Sequence, residues 1–120
     1  MEFIALLSSG KGTWGQVVGL INRGEWEKTI IVTSDFFKPI IKKFNFNKKT
    51  EIVVIDFNKG IKNTIEQLKE KLKNKIEGTE VALSIASGAG KEHMAIISAL
   101  LQLPVGVKFV VLTKEGIIKL

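Results

Sequence analysis

The sequence predicts an α/β fold: one Rossmann-like three-layer sandwich over residues 1–120, with a mostly parallel sheet and a C-terminal antiparallel hairpin. Three observations predict it. Strand-like and helix-like segments alternate along the chain, most of the strand-like segments are near-continuous apolar runs, and no linker or repeat divides the 120 residues. Such strands are typical of parallel sheets covered by helices on both faces, and this length is that of a single domain.

The first three elements are a strand, a helix and a strand. Phe3–Leu7 is short and apolar, and from Trp14 apolar residues recur at helical spacing until Gly24 ends the pattern. The β-branched run Thr29–Val32, bounded by polar residues, then predicts the second strand.

A second helix and a third strand follow. Ser34 or Asp35 is positioned to cap this helix with its side chain, and Pro39 falls in the first turn, where a missing N–H has no cost. We expect the helix to carry five apolar residues, namely Phe36, Phe37, Ile40, Ile41 and Phe44. Ile52–Ile55 consists of four consecutive strand-forming residues and predicts the third strand.

The third helix has the clearest amphipathic pattern in the sequence. Asp56 or Asn58 precedes it as a candidate cap, and Gly78 ends it. Its apolar residues are spaced by three or four positions: Ile61, Ile65, Leu68, Leu72 and Ile76. Lysine and glutamate fill the other faces, so we expect a surface helix with one buried side. Val81–Ile85 is the fourth strand.

The last part of the chain predicts a buried helix and a hairpin. The helix runs from Lys91 to Leu103 and stops at Pro104, and its largely apolar composition predicts burial on more than one side. Two strands then form the hairpin, Val107–Leu112 and Ile117–Leu120. Because the sequence ends within its last predicted strand, a continuation past residue 120 stays open.

Composition excludes several classes of function. The absence of cysteine rules out a disulfide framework, a zinc knuckle and thiol chemistry, and a single histidine disfavours a histidine-built metal site. The chain does not open with a basic leader followed by a long apolar run. We therefore expect a cytoplasmic protein that contacts no membrane and uses no metal or cofactor.

The formal net charge of +6 is concentrated in the middle of the chain. Between Lys38 and Lys75 there are eleven lysines and four acidic residues, which gives +7, and the rest of the chain carries −1. Arg23 is the one arginine, the side chain that usually reads guanine edges. Solvation is the simpler interpretation of this lysine-rich segment, and non-specific attraction to nucleic acid is the alternative.

A glycine-rich loop follows the first strand, at the sheet edge where parallel α/β folds bind ligands. Gly10, Gly12 and Gly15 spell G-x-G-x-x-G, and Asp35 lies twenty residues beyond Gly15. This is the dinucleotide fingerprint with its ribose-binding acid, although Asp35 is equally well explained as a helix cap. Glycines let the backbone approach a phosphate, and the helix N-terminus adds N–H donors.

A second loop of small residues, Ala86 to Gly90, follows the fourth strand and leads into the last helix, whose first turn carries Lys91 and His93. It is not a Walker A loop, because Ile85 stands at the position of the first glycine and Glu92 at the position of the magnesium-binding hydroxyl. Lys91 supplies a point charge for a phosphate. His93 is either a phosphate donor or an ordinary surface or interface residue.

This second loop, with the strand before it and the Ala/Leu-rich helix after it, resembles the signature of CARF domains, the CRISPR-associated Rossmann folds. Ser8 to Thr13 falls where that family has its other ligand loop. The segment Asp56-Phe57-Asn58 before the third helix also resembles the sequences of CARF regulators that carry a winged helix. The resemblance covers essentially the whole chain. It departs from the family where the common Thr-Gly-Gly before the lysine is replaced by Ser87-Gly88-Ala89-Gly90.

The resemblance implies a homodimer whose paired loops build one cleft for a cyclic oligoadenylate. It places ligand contacts in both loops, at Ser8, Ser9, Gly10, Lys11, Gly12, Thr13, Trp14, Ser87, Gly88, Ala89, Gly90, Lys91 and Met94. Trp14 would stack on a base or pack in the core, and Met94 fits the core better than a ligand contact. The largely apolar last helix fits a partner helix across a two-fold axis.

Some stand-alone members of the family resemble this layout and open the cyclic ligand as ring nucleases, while others only sense it. The sequence leaves both open. Cleavage would need no metal, because the ribose 2′-hydroxyl attacks its neighbouring phosphate while the site stabilises the charge. Lys11 and Lys91 would stabilise that charge, and Ser9 and Ser87 would orient the phosphate. His93 is the candidate for proton transfer.

Two other interpretations stay open. A small NAD-type dinucleotide-binding regulatory module would use Gly10, Gly12, Gly15 and Asp35, but would leave the second loop without a role. A nucleic-acid-binding protein would use the lysine-rich segment and lose its binding as the ionic strength rises.

Overall fold

Strands and helices alternate throughout the computed structural model, which describes residues 1–8, 13–44, 46 and 49–120. In chain order the elements are β1 (Glu2–Leu6), α1 (Trp14–Arg23), β2 (Thr29–Thr33), α2 (Lys38–Ile41), β3 (Thr50–Val54), α3 (Ile61–Leu72), β4 (Glu80–Ser84), α4 (Gly90–Gln102), β5 (Gly106–Thr113) and β6 (Gly116–Lys119). Each predicted element is present, and the bounds of α2 and α3 differ most from the prediction.

All these strands form one sheet in the order β3-β2-β1-β4-β5-β6. β1 to β5 are parallel, and β6 pairs antiparallel with β5. The predicted α/β sandwich with a C-terminal hairpin is therefore confirmed. The strand order reverses between β1 and β4, because the chain builds outward through β2 and β3 and then returns to the other side of β1. The two glycine-rich loops leave the sheet at this switch point.

Helices cover both faces of the sheet. Along β1, Phe3 and Ala5 pack on the α1 and α2 side, while Ile4 and Leu6 pack on the α3 and α4 side. All four side chains are fully buried. This alternation of buried residues on a strand is expected when both faces carry helices.

The second helix is shorter than predicted, with the single turn Lys38–Ile41 and Pro39 at its start. Neither Ser34 nor Asp35 caps it with a side chain, so that prediction is wrong. The Ser34 carbonyl instead accepts hydrogen bonds from the backbone N–H groups of Phe37 and Lys38 at 3.2 and 3.1 Å. A hydrogen-bonded turn therefore occupies the positions where the sequence predicts helix.

The third helix also lacks the predicted side-chain cap, and it ends at Leu72 rather than near Gly78. It begins after Gly60, whose φ of +82° is available to glycine at low cost. Asp56 is engaged elsewhere, because its Oδ1 accepts the Asn58 backbone N–H at 3.0 Å in a local turn.

The last helix matches its predicted span, and within this one chain a single side of it is buried. Ala95, Ile96, Ala99 and Leu100 are buried, whereas the outward-facing Leu101 is 66% exposed. α4 packs against the sheet and α3. The opposite side of the helix carries the exposed apolar side chains of Met94 and Leu101. None of the helices in the described part of the chain is long and apolar enough to cross a membrane.

Candidate functional site at the ends of β1 and β4

Hydrogen bonds join the loop after β1 to the loop after β4. The Ser8 backbone N–H donates to Ser87 Oγ at 3.1 Å, and Ser8 Oγ donates to Glu92 Oε1 at 2.7 Å. Ser8 and Ser87 are each 1% exposed. We call this group of Ser8, Ser87 and Glu92 the loop junction. Because β1 and β4 are parallel neighbours, residues distant in sequence meet here, as the sequence predicts for the two loops.

Glu92 is the central acceptor of the loop junction. Its Oε1 also accepts the Ala89 backbone N–H at 2.7 Å, so one carboxylate oxygen serves both loops. Ala89 is the N-cap of α4 and Glu92 is the third residue of the helix, the spacing of a capping-box acid. Sequence reasoning did not name Glu92 as a site residue, although this spacing was the signal that could have found it.

Gly88 gives the second loop its shape. Its φ is +104°, and a Cβ atom on this residue would lie 2.5 Å from Leu6 Cδ2 and 3.0 Å from Glu92 Oε1. Leu6 is fully buried in the core. The loop therefore needs glycine here both for its backbone conformation and for its close approach to β1.

His93 and Lys91 occupy the first turn of α4. The His93 Nε2 atom lies 2.9 Å from the Ser87 carbonyl oxygen, and because a carbonyl only accepts, Nε2 carries the proton. In the neutral ring, Nδ1 is then the nitrogen available for the predicted proton transfer. Lys91 is exposed, and it forms no ion pair with any described residue.

Trp14 belongs to the core rather than to an open binding surface. It is 4% exposed, its Nε1–H donates to the Ser8 carbonyl at 3.0 Å, and its ring meets Phe37 and Phe44 edge-on. Of the two roles that the sequence left open, the structure shows packing in the core. Met94 is 60% exposed, so the expectation that it lies in the core is wrong.

Part of the first loop lies outside the described residues, namely Ser9, Gly10, Lys11 and Gly12. The roles predicted for these four residues therefore stay predictions. The described neighbours are Thr13, which precedes α1 as its N-cap without a side-chain cap bond, and Gly15, whose surroundings are open.

A cleft of about 330 Å³ opens beside the loop junction. It is lined by residues that follow β2 and β3 and by the start of α4: Ser34, Asp35, Phe36, Ile55, Asp56, Phe57, Asn58 and Glu92. The sequence predicts Phe36 among the apolar residues of the second helix, but it lies before α2 and its side chain is 75% exposed, so that prediction is wrong. Three lining residues are carboxylates, yet no three His, Asp or Glu side chains in the described ranges are grouped to hold a metal ion.

The lysine-rich segment is partly neutralised by nearby acids. Three ion pairs join described residues of this segment, Lys69–Glu66, Lys73–Glu70 and Lys75–Glu51. Lys71 Nζ donates to the Val54 carbonyl at 2.6 Å, on the edge strand β3. Lysines over an exposed edge disfavour pairing with another chain, which gives the solvation interpretation a structural reason. Binding of nucleic acid stays a prediction.

Comparison with known proteins supports the fold. No family profile and no curated protein matches this chain. Among solved structures, the C-terminal domain of PF1911 hydrogenase from Pyrococcus furiosus is similar, with a TM-score of 0.50 and 18% sequence identity over 90% of this chain and 88% of that chain. At this identity the similarity shows the fold alone.

Proposed function

We propose that this chain is a nucleotide-binding domain of the CARF type, which binds a cyclic oligoadenylate in the cytoplasm in a cleft shared by two copies. The loop junction is the observation that carries the proposal, because it makes the two glycine-rich loops one unit at the switch point of the sheet. Ligands of open parallel sheets bind at such a switch point.

The start of α4 provides the chemistry for a phosphodiester in this proposal. A helix N-terminus presents unpaired backbone N–H groups and the positive end of the helix dipole. Lys91 adds an exposed positive charge in the first turn. The bases would then lie along the loops, where the backbone at Ala89 and Gly90 is exposed.

A second copy of the chain completes the cleft in this proposal. Met94 and Leu101 are two turns apart on α4, and both are more than half exposed. Pairing of α4 with the same helix of a second copy would bury these side chains and bring the two pairs of loops together.

The first experiment measures thermal shifts of the protein with cyclic tri-, tetra- and hexa-adenylate, because a ligand that binds only the folded state raises the melting temperature. We expect one of the three to bind and Lys91→Ala to weaken it about tenfold, as loss of a charge-assisted contact does. Lys119→Ala, which removes an exposed lysine on β6, is the control and should bind normally. An unchanged affinity in Lys91→Ala would rule out the second loop as a site.

Product analysis of the same samples distinguishes a ring nuclease from a sensor. Linear fragments that form with the wild type and not with His93→Ala would identify a ring nuclease that uses this histidine. Recovery of the intact ring would identify a sensor. Light scattering tests the homodimer, which Leu101→Lys should convert to a monomer.

A second candidate function, binding of a dinucleotide, is favoured by one observation. Asp35 follows β2, where a ribose-binding acid belongs, and it lines the 330 Å³ cleft together with the exposed ring of Phe36. NAD and NADP belong in the same thermal-shift panel. A shift with NAD alone that Asp35→Asn removes would favour this function over the first.

A further inference from the structure

Hydrogen-bond donors at and beside the start of α4 are already bound to a carboxylate of the chain itself. Glu92 Oε1 accepts the Ser8 hydroxyl and the Ala89 backbone N–H, each at 2.7 Å. Both donors meet Glu92 in the first turn of α4, where the proposed function puts a phosphate. A phosphate bound there must therefore share the site with a fixed carboxylate or displace it.

The neighbouring cleft strengthens this negative field. Asp35 and Asp56 line it together with Glu92, and among the described residues its lining includes no lysine or arginine. Carboxylates accept hydrogen bonds and donate none. The cleft thus matches ligand groups that donate, such as ribose hydroxyls and the adenine amino group, and it opposes dense negative charge.

We infer that Glu92 is a specificity-determining residue, which admits phosphodiesters and discriminates against terminal phosphate monoesters and polyphosphates. The inference rests on the proposed function and names the phosphate chemistry that the same site takes. A diester carries one negative charge, whereas a phosphate monoester carries about two near pH 7. The second negative charge of a monoester is repelled by the Glu92 carboxylate, and the site gains no further hydrogen-bond donor to offset that repulsion.

Two linear tetra-adenylates that differ in one group test the inference. One has a 5′-hydroxyl end and the other a 5′-phosphate, and each competes at fixed ionic strength with the labelled cyclic adenylate that binds in the thermal-shift experiment. For the wild type we expect the 5′-hydroxyl form to compete about tenfold better, as one additional like-charge contact near a protein surface implies.

The variant Glu92→Gln removes the charge and keeps an oxygen that accepts from Ser8 and Ala89, so it should reduce the ratio to about threefold or less. Asp56→Asn is a second isosteric variant in the cleft, in case the first does not fold, and it should reduce the ratio in the same direction. Glu115→Gln changes an exposed acid in the β5–β6 turn and should leave the ratio unchanged.

The outcomes separate this inference from the proposed function. Equal competition by the two linear forms in the wild type, an unchanged ratio in Glu92→Gln, or failure of both linear forms to displace the cyclic ligand would each overturn the role of Glu92 while cyclic binding stands. Failure of every adenylate to bind would overturn the proposed function, and the inference with it.

Discussion

Replacement of Gly88 by alanine tests whether the loop after β4 depends on a left-handed backbone and on close contact with β1. Gly88 has a φ of +104°, and an added Cβ would lie 2.5 Å from Leu6 Cδ2 and 3.2 Å from Leu6 Cγ. Leu6 is fully buried and packs with both α3 and α4. It therefore has little freedom to move away from a new methyl group.

Two costs add in this variant. The unfavourable backbone conformation contributes about 1–3 kcal/mol, and overpacking against a buried side chain contributes about 1–3 kcal/mol. We expect Gly88→Ala to lower the free energy of unfolding by about 2–6 kcal/mol. For a domain of this size, that corresponds to a decrease in melting temperature of roughly 8–24 °C.

Two other glycines provide matched controls. Gly60 has a φ of +82° and open space around it, so Gly60→Ala should show the backbone cost alone, about 1–3 kcal/mol. Gly90 has open space and begins α4, so Gly90→Ala should lie within about 1 kcal/mol of the wild type. Urea denaturation of the three variants measures the series. If Gly88→Ala is as stable as Gly60→Ala or more stable, contact with Leu6 does not restrict the residue at position 88.

Three further predictions concern other parts of the molecule. Glu2 is 4% exposed and accepts the Gly78 backbone N–H at 2.8 Å, so Glu2→Ala should lower the free energy of unfolding by about 1.5–3 kcal/mol in urea denaturation, whereas an exposed acid such as Glu115 should tolerate the change. The pKa of Glu51 lies below its ordinary value of 4.5, chiefly because Lys75 donates a hydrogen bond to its carboxylate. Glu51→Gln should therefore be less stable than the wild type near pH 7, and this difference in stability should vanish as the pH falls below 4.5. A difference in stability that persists in acid would contradict this prediction. Any binding of a short RNA by the lysine-rich segment should disappear between about 50 and 200 mM salt in fluorescence anisotropy, and binding that survives would indicate more than phosphate contacts.

The fold could be predicted from the sequence because burial on both faces of a sheet produces near-continuous apolar strands, and one-sided burial produces the helical spacing of α3. The errors lie where backbone hydrogen bonds decide the local structure. The Ser34 carbonyl accepts the bonds that start α2, and Asp56 turns onto its own backbone. Serine and aspartate satisfy caps and turns equally well, so their presence alone does not fix which of the two forms.

The candidate site could be predicted only in part. The sequence identifies the two loops, since the parallel order brings the ends of β1 and β4 together. It does not show that Ser8 and Ser87 are buried and bonded to the chain itself, because that depends on how closely the loops approach. The cleft beside Phe36 was missed for the same reason, since it forms between segments that follow different strands.

The loop junction also connects the two faces of the sheet. Glu92 on α4 bonds to the Ser8 hydroxyl, and the Ser8 carbonyl accepts the indole N–H of Trp14 on α1 at 3.0 Å. α4 packs on one face of the sheet and α1 on the other, so Ser8 forms hydrogen bonds with elements on opposite faces of the sheet. A ligand that displaces Glu92 would change the partner of the Ser8 hydroxyl and, through the same residue, the surroundings of a buried indole. The sheet holds β1 and β4 in register, so such a change would be confined to the loops and helix ends, and the core would stay in place.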